Sequence, residues 1–518
     1  MQNKPSISLD TPKLLSPEEI SLKQLFIDQF QLHPILAQIL VSRGFREIQD
    51  AQSFLFGDLA QLPNPFELSG MLEAVIRVVE SISHKQKILL FGDYDVDGIT
   101  GCAQLALFLK EIGATVDVLL PHRIHDGYGL APSSVEKIKI IKPDLLITID
   151  NGTIFLMALR SKLREHTLKL PNLKRYLDLA CLGTIADVVP LTGTNRLLVK
   201  YGLKELTTSQ RPGIKALKEV SSVSEDVTPY IVGFRLAPRI NAAGRMADPK
   251  EALQLLMSST ENEAQVLAQK LEAYNRQRQA EEEKALNEAF TMIETSGLLE
   301  RRGIVVGSKT WHLGIVGILA ARLTEKYHRP AIALSFFEDK NIAKGSARSI
   351  AGFSVYAALK NIEHKMINFG GHEAAAGMTL DLKSLEDFSE SFHQSIESLS
   401  PEPFRKKIRV DSILPFNEIS PLLLEQLSLF EPFGSSNPEP TFMTEDAKLH
   451  SCRIIGSGNN HLKFSASHSQ LSFDGIYFNG AKDLETILKT THHQLIYNLQ
   501  KNTWNGRSSI QLKLKTLL

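Results

Sequence analysis

The chain has 518 residues, of which 43% are hydrophobic and 22% are charged, and its 58 basic side chains balance its 58 acidic ones. This composition indicates a soluble globular protein of about three domains and excludes a disordered chain, a fibrous chain and a uniformly basic nucleic-acid-binding surface. Three distant cysteines provide no disulfide framework, and no apolar stretch reaches about 18 residues, so we expect a cytoplasmic protein without a membrane span.

The first 70 residues predict a small helical segment, because apolar residues recur at helical spacing and turn formers close the segment. From about 85 to 155, strands and helices alternate, which predicts a parallel sheet with crossover helices. The predicted strands are KILLFGDYD, ATVDVLLP and DLLITIDNG, and the helices between them are ITGCAQLALFLKEIG and SSVEKIKIIK. The apolar run LDLACLGTIADVVPL, which ends near residue 191, is predicted as a further strand.

Residues 259–298 are rich in Glu, Gln, Ala and Lys and predict one long helix that connects two lobes. The second lobe is again α/β, with strand GIVVG, helix VGILAARLTEKY and strand AIALSFF. After about residue 400, short alternating strands separated by turns predict a small β-barrel.

The predicted barrel carries basic and aromatic residues typical of grooves that bind single-stranded nucleic acid. These residues are Phe404, Arg405, Lys406, Lys407, Arg409 and Phe416.

Three carboxylates follow the first strand of the parallel sheet, in the run Gly92-Asp93-Tyr94-Asp95-Val96-Asp97-Gly98. They repel one another, which favours a role in binding a strong cation. Ligands of open α/β sheets lie at the carboxyl ends of the strands, and oxygen ligands at this density suit Mg²⁺ or Mn²⁺. The alternative is a solvated acidic turn, which the tight connection at Gly98 disfavours.

Two more carboxylates follow predicted strands. Asp150 closes LLITID, and Asp187 follows the run LACLGTIA. A single aspartate at a strand end is usually a helix cap. Three strands that converge in one parallel sheet favour a shared metal site, where two ions about 3.5–4 Å apart would activate water and bind the leaving oxygen of a phosphodiester.

Other residues are suited to binding an anion. The arginines Arg123, Arg239, Arg245 and Arg348 can pair with phosphate oxygens. Gly370 and Gly371 allow backbone N–H groups to approach an anion, and His372 can donate to phosphate. The alternatives are a surface ion pair for each arginine and a capped loop position for the histidine.

Taken in order, GDYDVDGITG, ITIDNG and GTIADVVPL resemble three of the four metal-site motifs of the RecJ family, in the DHH phosphoesterase superfamily. Further stretches are similar to that family: PRINAAGR, WHLGIVGI, GSARS, GGH followed by AAG, and EPFG followed by NPEP. Together these similarities extend from about residue 90 to residue 445.

The resemblance implies an α/β fold. A DHH-type parallel-sheet lobe and a second, DHH-associated α/β lobe are joined by a long helix, and an OB-like β-barrel follows at the C-terminus. The corresponding segments are an N-terminal helical segment (1–70), a shortened DHH-type phosphoesterase domain (71–210), a helical connector (211–298), a DHH-associated domain (299–400) and an OB-like nucleic-acid-binding domain (401–518).

The resemblance also implies a function, namely 5′-to-3′ hydrolysis of single-stranded DNA in recombination and repair, with Mn²⁺ or Mg²⁺ as the cofactor. The implied partners are single-stranded DNA, single-strand-binding protein and a recombination helicase.

Roles for individual residues follow from the same similarity. The catalytic carboxylates are Asp93, Asp95, Asp97, Asp150 and Asp187, and all of them except Asp93 are expected to bind metal directly; Asp93 either binds metal or supports the other ligands. Arg123, Ser346 and Arg348 are expected to hold the 5′ phosphate, and His312 is expected to support the interface between the lobes.

One family motif is absent from the sequence. RecJ proteins carry Asp-His-His on a strand between the second and last carboxylate motifs, whereas residues 153–177 here indicate a basic helix and a short connection. His166, in this interval, is interpreted as a solvated helix residue. We therefore expect impaired activity. The alternatives are a catalytically inactive protein that binds single strands and a phosphodiesterase of oligonucleotides or cyclic dinucleotides.

Overall fold

The computed structural model describes residues 7–123, 125–126, 129–150, 153–165, 169–397, 402–456, 458–504 and 507–518. His166 lies outside these ranges. The described residues form two compact units: the first contains 64–188 and 201–406, and the second contains 8–63, 189–200 and 407–518. In the described ranges, no helix is both long enough and apolar enough to cross a membrane.

The N-terminal part of the second unit is helical, as predicted. Its elements are β1 (Ile7–Asp10), α1 (Pro17–Phe30), α2 (Pro34–Ser42) and α3 (Ile48–Phe56). Ser16 and Glu19 form a capping box that fixes the start of α1. Phe26 and Leu36 are fully buried in a core that these helices share with the C-terminal strands.

The first lobe of the first unit contains a three-stranded parallel sheet in the order β3-β2-β4. Its elements are α4 (Met71–Ser83), β2 (Ile88–Gly92), α5 (Val96–Glu111), β3 (Val116–Leu119), α6 (Pro132–Ile141), β4 (Leu145–Ile149), α7 (Thr153–Leu163) and α8 (Leu177–Ala186). The central strand, β2, is buried along its whole length. The three predicted strands and the two helices between them are therefore confirmed.

Residues Leu177–Ala186 form a helix, α8, so the prediction of a strand in this run was wrong. A short, mainly apolar run fits a buried strand or a buried helix equally well. Here the helix packs closely against α5: a Cβ added at Gly183 would lie 2.5 Å from Thr100 Oγ1 and 3.2 Å from Asp97 Cα. Asp187 consequently caps the C-terminus of a helix instead of following a strand.

Residues 193–295 are mostly helical. The elements are α9 (Gly193–Thr208), α10 (Pro212–Val220), α11 (Pro229–Ile231), a π-helix (Val232–Leu236), α12 (Ala237–Met246), α13 (Lys250–Met257) and α14 (Glu261–Thr295). The last is the predicted connecting helix, 35 residues long, and Thr260 caps it. Leu271 packs in the core of the first lobe and Ile293 in the core of the second, so one continuous helix contributes to both.

The second lobe of the first unit contains a five-stranded sheet in the order β5-β6-β7-β9-β8. Its elements are β5 (Ile304–Ser308), α15 (Val316–Tyr327), β6 (Ala331–Phe337), β7 (Ile342–Arg348), α16 (Val355–Lys360), β8 (Asn368–His372), β9 (Ala375–Asp381) and α17 (Leu385–Glu397). The first two strands are parallel and the other neighbours are antiparallel.

The C-terminal part of the second unit contains the predicted barrel. Its elements are β10 (Lys406–Arg409), β11 (Ser412–Ile413), α18 (Pro421–Leu427), β12 (Phe442–Ile455), β13 (His461–His468), β14 (Leu471–Tyr477), α19 (Leu484–Lys489), β15 (His493–Trp504) and β16 (Arg507–Leu517). The strand order β12-β13-β14-β16-β15 closes into a barrel because β15 also pairs with β12.

The prediction that Phe416 lines a groove of this barrel was wrong. The basic run lies largely in β10, which pairs with β1 and not with the barrel strands. Phe416 is fully buried and packs edge-on against Phe473, with ring centroids 5.2 Å apart. Its ring therefore belongs to the core and cannot stack on a nucleotide base.

Candidate metal and phosphate site

The acidic loop after β2 depends on two glycines. A Cβ added at Gly92 would lie 2.8 Å from Gly98 O, and a Cβ added at Gly98 would lie 2.5 Å from Asp93 N. Both contacts are with backbone atoms and could not be relieved by moving a side chain. The sequence can therefore turn directly from strand to helix and place its aspartates at the carboxyl edge of the sheet.

Three aspartates form a compact carboxylate group. Each of Asp95, Asp97 and Asp150 offers one carboxylate oxygen, and these oxygens lie within 4.8 Å of one another. Asp150 joins the loop aspartates because it follows β4, the parallel neighbour of β2. In the described part of the chain, this is the only group of three or more His, Cys, Asp or Glu side chains close enough to hold a metal ion.

The carboxylate group is electrostatically costly without a cation. Burial, and then the neighbouring Asp95, raise the pKa of Asp97 well above its usual value, and Asp187 adds to the effect. Burial raises the pKa of Asp187 as well, with further contributions from Asp150 and Asp95. Asp187 thus lies close enough to interact with the group, although it is not one of the three that meet within 4.8 Å.

Asp93 lies beside this group. Burial, and then Asp95, raise the pKa of Asp93 to about 6, although the Tyr94 N–H and the Arg123 guanidinium oppose the shift. The Tyr94 N–H donates to Asp93 Oδ1 at 2.8 Å. Asp93 therefore interacts electrostatically with the carboxylate group.

The residues present fit a divalent metal ion. Asp93 Oδ2 and Asp95 Oδ1 are buried and have no hydrogen-bond partner among the described residues. Burying an unpaired carboxylate oxygen is unfavourable, and a hard cation such as Mn²⁺ or Mg²⁺ would satisfy it. Asp95, Asp97 and Asp150 are the residues that would hold the ion.

A group of arginines lies in the same unit. Burial, and then Arg123, Arg278 and Arg348, lower the pKa of Arg245 to about 9. Burial and Arg123 also lower the pKa of Arg348. Arg123, Arg245 and Arg348 repel one another, and an anion among these three would relieve that repulsion. Arg278 is paired with Glu282, with its Nη1 2.5 Å from Glu282 Oε2. Three of the four were predicted from the sequence, and Arg278, on the connecting helix, was not.

Ser346 and Arg348 lie against the start of α15. Arg348 Nη1 donates to Ser346 Oγ at 2.6 Å. A Cβ added at Gly317, the second residue of α15, would lie 3.2 Å from Arg348 Nη2 and 3.5 Å from Ser346 Oγ. The unpaired N–H groups at a helix N-terminus favour an anion. The N-terminus of α15 therefore lies beside Ser346 and Arg348 as a third group suited to binding phosphate.

The glycine-rich strand β8 lies near these residues in the sheet. Gly370 pairs with the same β9 residue as Ser346, and His372 pairs with the same β9 residue as Arg348. The two predicted segments are thus in register and separated by one strand, about 10 Å. Gly370, Gly371 and His372 are exposed.

Arg239 does not join the arginine group. Its Nε lies 2.7 Å from Glu272 Oε2, and both side chains are mostly buried. Its Nη2 donates to Val220 O at 3.4 Å. These contacts connect α12 to α14 and α10, so the guanidinium stabilises helix packing and is not available for phosphate.

The two lobes of the first unit meet at Arg245, whose Nη1 donates to Gly314 O at 3.0 Å. His312 Nδ1 accepts from Gly314 N at 3.1 Å and so stabilises the turn that makes this contact. A Cβ added at Gly314 would lie 2.5 Å from Arg245 O. This position agrees with the interface role predicted for His312.

Three family models match consecutive parts of the chain. The DHH family N-terminal domain matches residues 87–183, the DHHA1 domain matches 301–398 and the RecJ OB domain matches 410–516.

Curated relatives match nearly the whole chain. A protein of Bacillus subtilis (strain 168) is 33% identical, over 96% of this chain and 70% of that relative. A protein of Escherichia coli (strain K12) is 30% identical over 577 aligned positions, covering 96% of this chain and 98% of that relative. Both are named single-stranded-DNA-specific exonuclease RecJ. Since this chain has 518 residues, at least 59 positions of the second alignment have no counterpart here.

The fold is also similar to solved structures. RecJ of Thermus thermophilus in complex with Mn²⁺ matches with a TM-score of 0.82 and 26% identity, covering 100% of this chain and 80% of that one. A second structure, exonuclease RecJ bound to manganese, matches with a TM-score of 0.56 and 30% identity, covering 67% of this chain and 98% of that one.

Proposed function

This chain belongs to the RecJ family of single-stranded-DNA-specific exonucleases, and on that premise we propose that it hydrolyses single-stranded DNA from the 5′ end with a divalent metal cofactor. The observation that carries the proposal is the group of Asp95, Asp97 and Asp150, whose oxygens lie within 4.8 Å of one another. A metal-dependent phosphodiester nuclease needs such a cation site close to groups that bind phosphate, and the arginine group supplies the second requirement.

The aspartates and the phosphate-binding residues would have different roles in the reaction. A divalent ion, when bound by Asp95, Asp97 and Asp150, stabilises negative charge on phosphate and lowers the pKa of water. Arg123, Ser346 and Arg348 would hold the terminal phosphate, which fixes the direction of the strand in the site. A guanidinium can bind two phosphate oxygens at once, which gives this contact its orientation.

Charged residues next to the metal-binding aspartates and next to the phosphate-binding residues would contribute to the electrostatic potential of the site. Arg245 would add positive charge beside Arg123 and Arg348. Asp93 and Asp187 add negative charge beside the metal-binding aspartates. Gly370, Gly371 and His372, in register with Ser346 and Arg348, would extend the phosphate-binding surface along the strand.

The finer expectations from family membership belong to the same proposal. They are a role in recombination and repair, a cytoplasmic location, and single-strand-binding protein and a recombination helicase as partners. The five-part domain organisation with boundaries at about 70, 210, 298 and 400 is likewise proposed, and the family-model boundaries near 301, 398 and 410 support its C-terminal half.

A second candidate function is single-strand binding without catalysis. The observation that favours it is that the candidate metal group, within the described residues, contains aspartates and no histidine. The sequence between Asp150 and Asp187 also lacks the family's Asp-His-His motif. Fewer metal ligands predict weaker metal binding and slower turnover.

The deciding experiment incubates the purified full chain with a 5′-phosphorylated single-stranded oligonucleotide and Mn²⁺. We expect slow release of mononucleotides that EDTA and Asp97→Ala abolish and that Asp28→Ala, at an exposed site in the second unit, leaves unchanged. Absence of digestion, with retained strand binding, would support the second candidate. Faster cleavage of a cyclic dinucleotide in a parallel reaction would contradict both.

A further inference from the structure

Two aromatic side chains outside the metal and phosphate groups are unusually exposed. Tyr230 is 65% exposed and Phe234 is 64% exposed. Their rings are stacked, with centroids 4.7 Å apart and planes inclined by 28°. Isolated surface hydrophobic residues are ordinary, but two stacked rings offer a continuous aromatic surface to a ligand.

The backbone that carries the rings is also unusual. Phe234 lies in the π-helix Val232–Leu236, and Tyr230 lies in the helical turn before it. π-Helical turns are rare and occur frequently at functional sites. Ile231, Val232 and Leu236 of the same segment are buried, so the segment is anchored by one face and presents its aromatic face to solvent.

Gly233 keeps the surroundings of the rings open. A Cβ added at this position would meet nothing within 4 Å, so no neighbouring group requires a glycine there. The residue is exposed, and its φ is not in the left-handed region. The absence of a side chain leaves space beside Phe234.

The aromatic segment is connected to the candidate active site in two ways. The π-helix packs against α8, which Asp187 caps. Helix α12 continues from the π-helix, and a Cβ added at its Gly244 would lie 2.7 Å from Tyr94 O, in the acidic loop. Ten residues of helix separate Phe234 from Gly244, about 15 Å. A strand of several nucleotides is long enough to span this distance.

We infer that Tyr230 and Phe234 form a stacking platform for unpaired bases of the strand whose terminal phosphate lies in the candidate site. The inference rests on the proposed function and adds a base-binding subsite to it. Bases are the proposed occupant because the segment that carries the rings packs against α8 and continues into α12, which contacts the acidic loop at Gly244. Every base has an aromatic face, so stacking suits a protein that binds single strands without sequence preference.

The test uses the full chain carrying Asp97→Ala, so that the strand is not digested. Affinity is measured for 5′-phosphorylated oligothymidylates of three and fifteen nucleotides. We expect the pair Tyr230→Ala with Phe234→Ala to weaken binding of the longer strand about tenfold or more and to leave binding of the shorter strand unchanged. The thermal midpoint should not change, because both rings are exposed.

Two matched pairs of substitutions separate stacking from simple hydrophobic contact. Tyr230→Phe with Phe234→Tyr keeps both rings and should bind the longer strand as the parent does. Tyr230→Leu with Phe234→Leu keeps apolar surface without a ring and should bind it as weakly as the alanine pair. Unchanged affinity of the alanine or leucine pair would overturn the inference and assign the rings to a protein partner. The two proposals can fail separately. If the unmutated chain does not digest DNA but strand binding still depends on the rings, the stacking inference is supported and the proposed catalysis is not.

Discussion

The guanidinium of Arg123 lies over the ring of Tyr94, with its Cζ 4.0 Å from the ring centroid. Tyr94 separates Asp93 from Asp95 in the acidic loop and is itself 8% exposed. A residue of the metal-binding loop thereby positions an arginine of the phosphate-binding group through a cation–π contact. This contact therefore connects the metal-binding loop to the phosphate-binding residues.

Tyr94→Leu should weaken binding of a 5′-phosphorylated single strand. A partly desolvated cation–π contact contributes about 0.5–2 kcal/mol, which corresponds to roughly 2- to 30-fold in affinity. Tyr94→Phe keeps the ring and should retain most of the affinity. The measurement is fluorescence anisotropy on the Asp97→Ala background. Equal affinities of the leucine and phenylalanine variants would show that the ring does not position Arg123.

Arg348→Ala should remove the preference for a 5′ phosphate. The unmutated protein is expected to bind a 5′-phosphorylated oligonucleotide more tightly than its 5′-hydroxyl counterpart, because the guanidinium of Arg348 can bind two phosphate oxygens. The variant should bind both oligonucleotides alike and retain most of its affinity for internal nucleotides. Arg301→Ala, at a half-buried arginine paired with Glu390 and Glu397, is the control and should keep the preference. Identical affinities in the unmutated protein would contradict the assignment.

The sequence predicted the acidic loop well because its causes are local. An apolar strand that ends at Gly92, with Gly98 shortly after it, permits a tight turn, and repulsion among three nearby aspartates points to a cation. The position of Asp150 followed from parallel pairing alone. These inferences required no knowledge of which distant residues meet.

Other features depend on distant neighbours and could not be predicted in the same way. Arg239 and Arg348 look equivalent in the sequence, but the first lies beside Glu272 and the second lies beside Ser346 and Gly317. The apolar run before Asp187 is a helix because it packs along α5, which hydrophobic periodicity does not reveal.

Asp97→Asn should stabilise the metal-free protein at neutral and alkaline pH. Burial, and then Asp95, raise the pKa of Asp97 above its usual value of 3.8, so the folded chain retains a proton that the unfolded chain releases. The stabilisation from this group is complete below about pH 4 and is lost as the pH rises towards the raised pKa. The substitution removes this loss and should add about 1 kcal/mol or more to the free energy of unfolding at pH 8.

Urea denaturation in EDTA at pH 5 and pH 8 measures this effect. The difference between Asp97→Asn and the unmutated chain should be larger at pH 8. Asp117→Asn, at an exposed aspartate paired with Lys87, should show no such change. A variant less stable than the parent at pH 8 would contradict the prediction. In excess Mn²⁺ the unmutated chain should become more stable than Asp97→Asn, because Mn²⁺ stabilises only the chain that retains the Asp97 carboxylate.

Val188→Gly should make the chain more stable but loosen the metal site. Val188, directly after Asp187, has φ of +58° and is 68% exposed. Among the described non-glycine residues with positive φ, it is the only β-branched one. A left-handed backbone costs roughly 1–2 kcal/mol for such a residue, and its exposed side chain recovers little of that cost by packing.

We expect Val188→Gly to raise the free energy of unfolding in EDTA by about 0.5–1 kcal/mol, and to lower Mn²⁺ affinity severalfold because Asp187 becomes less restrained. Val189→Gly, at a position without positive φ, should be destabilising. Denaturation and calorimetric titration with Mn²⁺ provide the two measurements. A destabilised Val188→Gly variant would show that the valine conformation is not strained.

The unmutated chain should bind close to one equivalent of Mn²⁺. Asp95, Asp97 and Asp150 suffice to attract one hard cation, but the interval 153–177 lacks the Asp-His-His motif, whose imidazoles would help to bind a second. Loss of a ligand typically costs about 10- to 100-fold in affinity or activity. We therefore expect turnover orders of magnitude below that of a relative with the complete motif.

Replacing residues 153–176 with a relative's Asp-His-His segment should restore a second equivalent of Mn²⁺ and raise turnover. The fold can accept the added strand because β4 is at the edge of the sheet and, among the described strands, pairs with β2 alone. A matched graft with both histidines changed to alanine restores the strand without the ligands and should bind one equivalent. Rapid turnover of the ungrafted chain, abolished by Asp97→Ala, would contradict this prediction. It would indicate that a histidine such as His122 or His125, whose rings lie 4.5 Å apart after β3, has assumed the role.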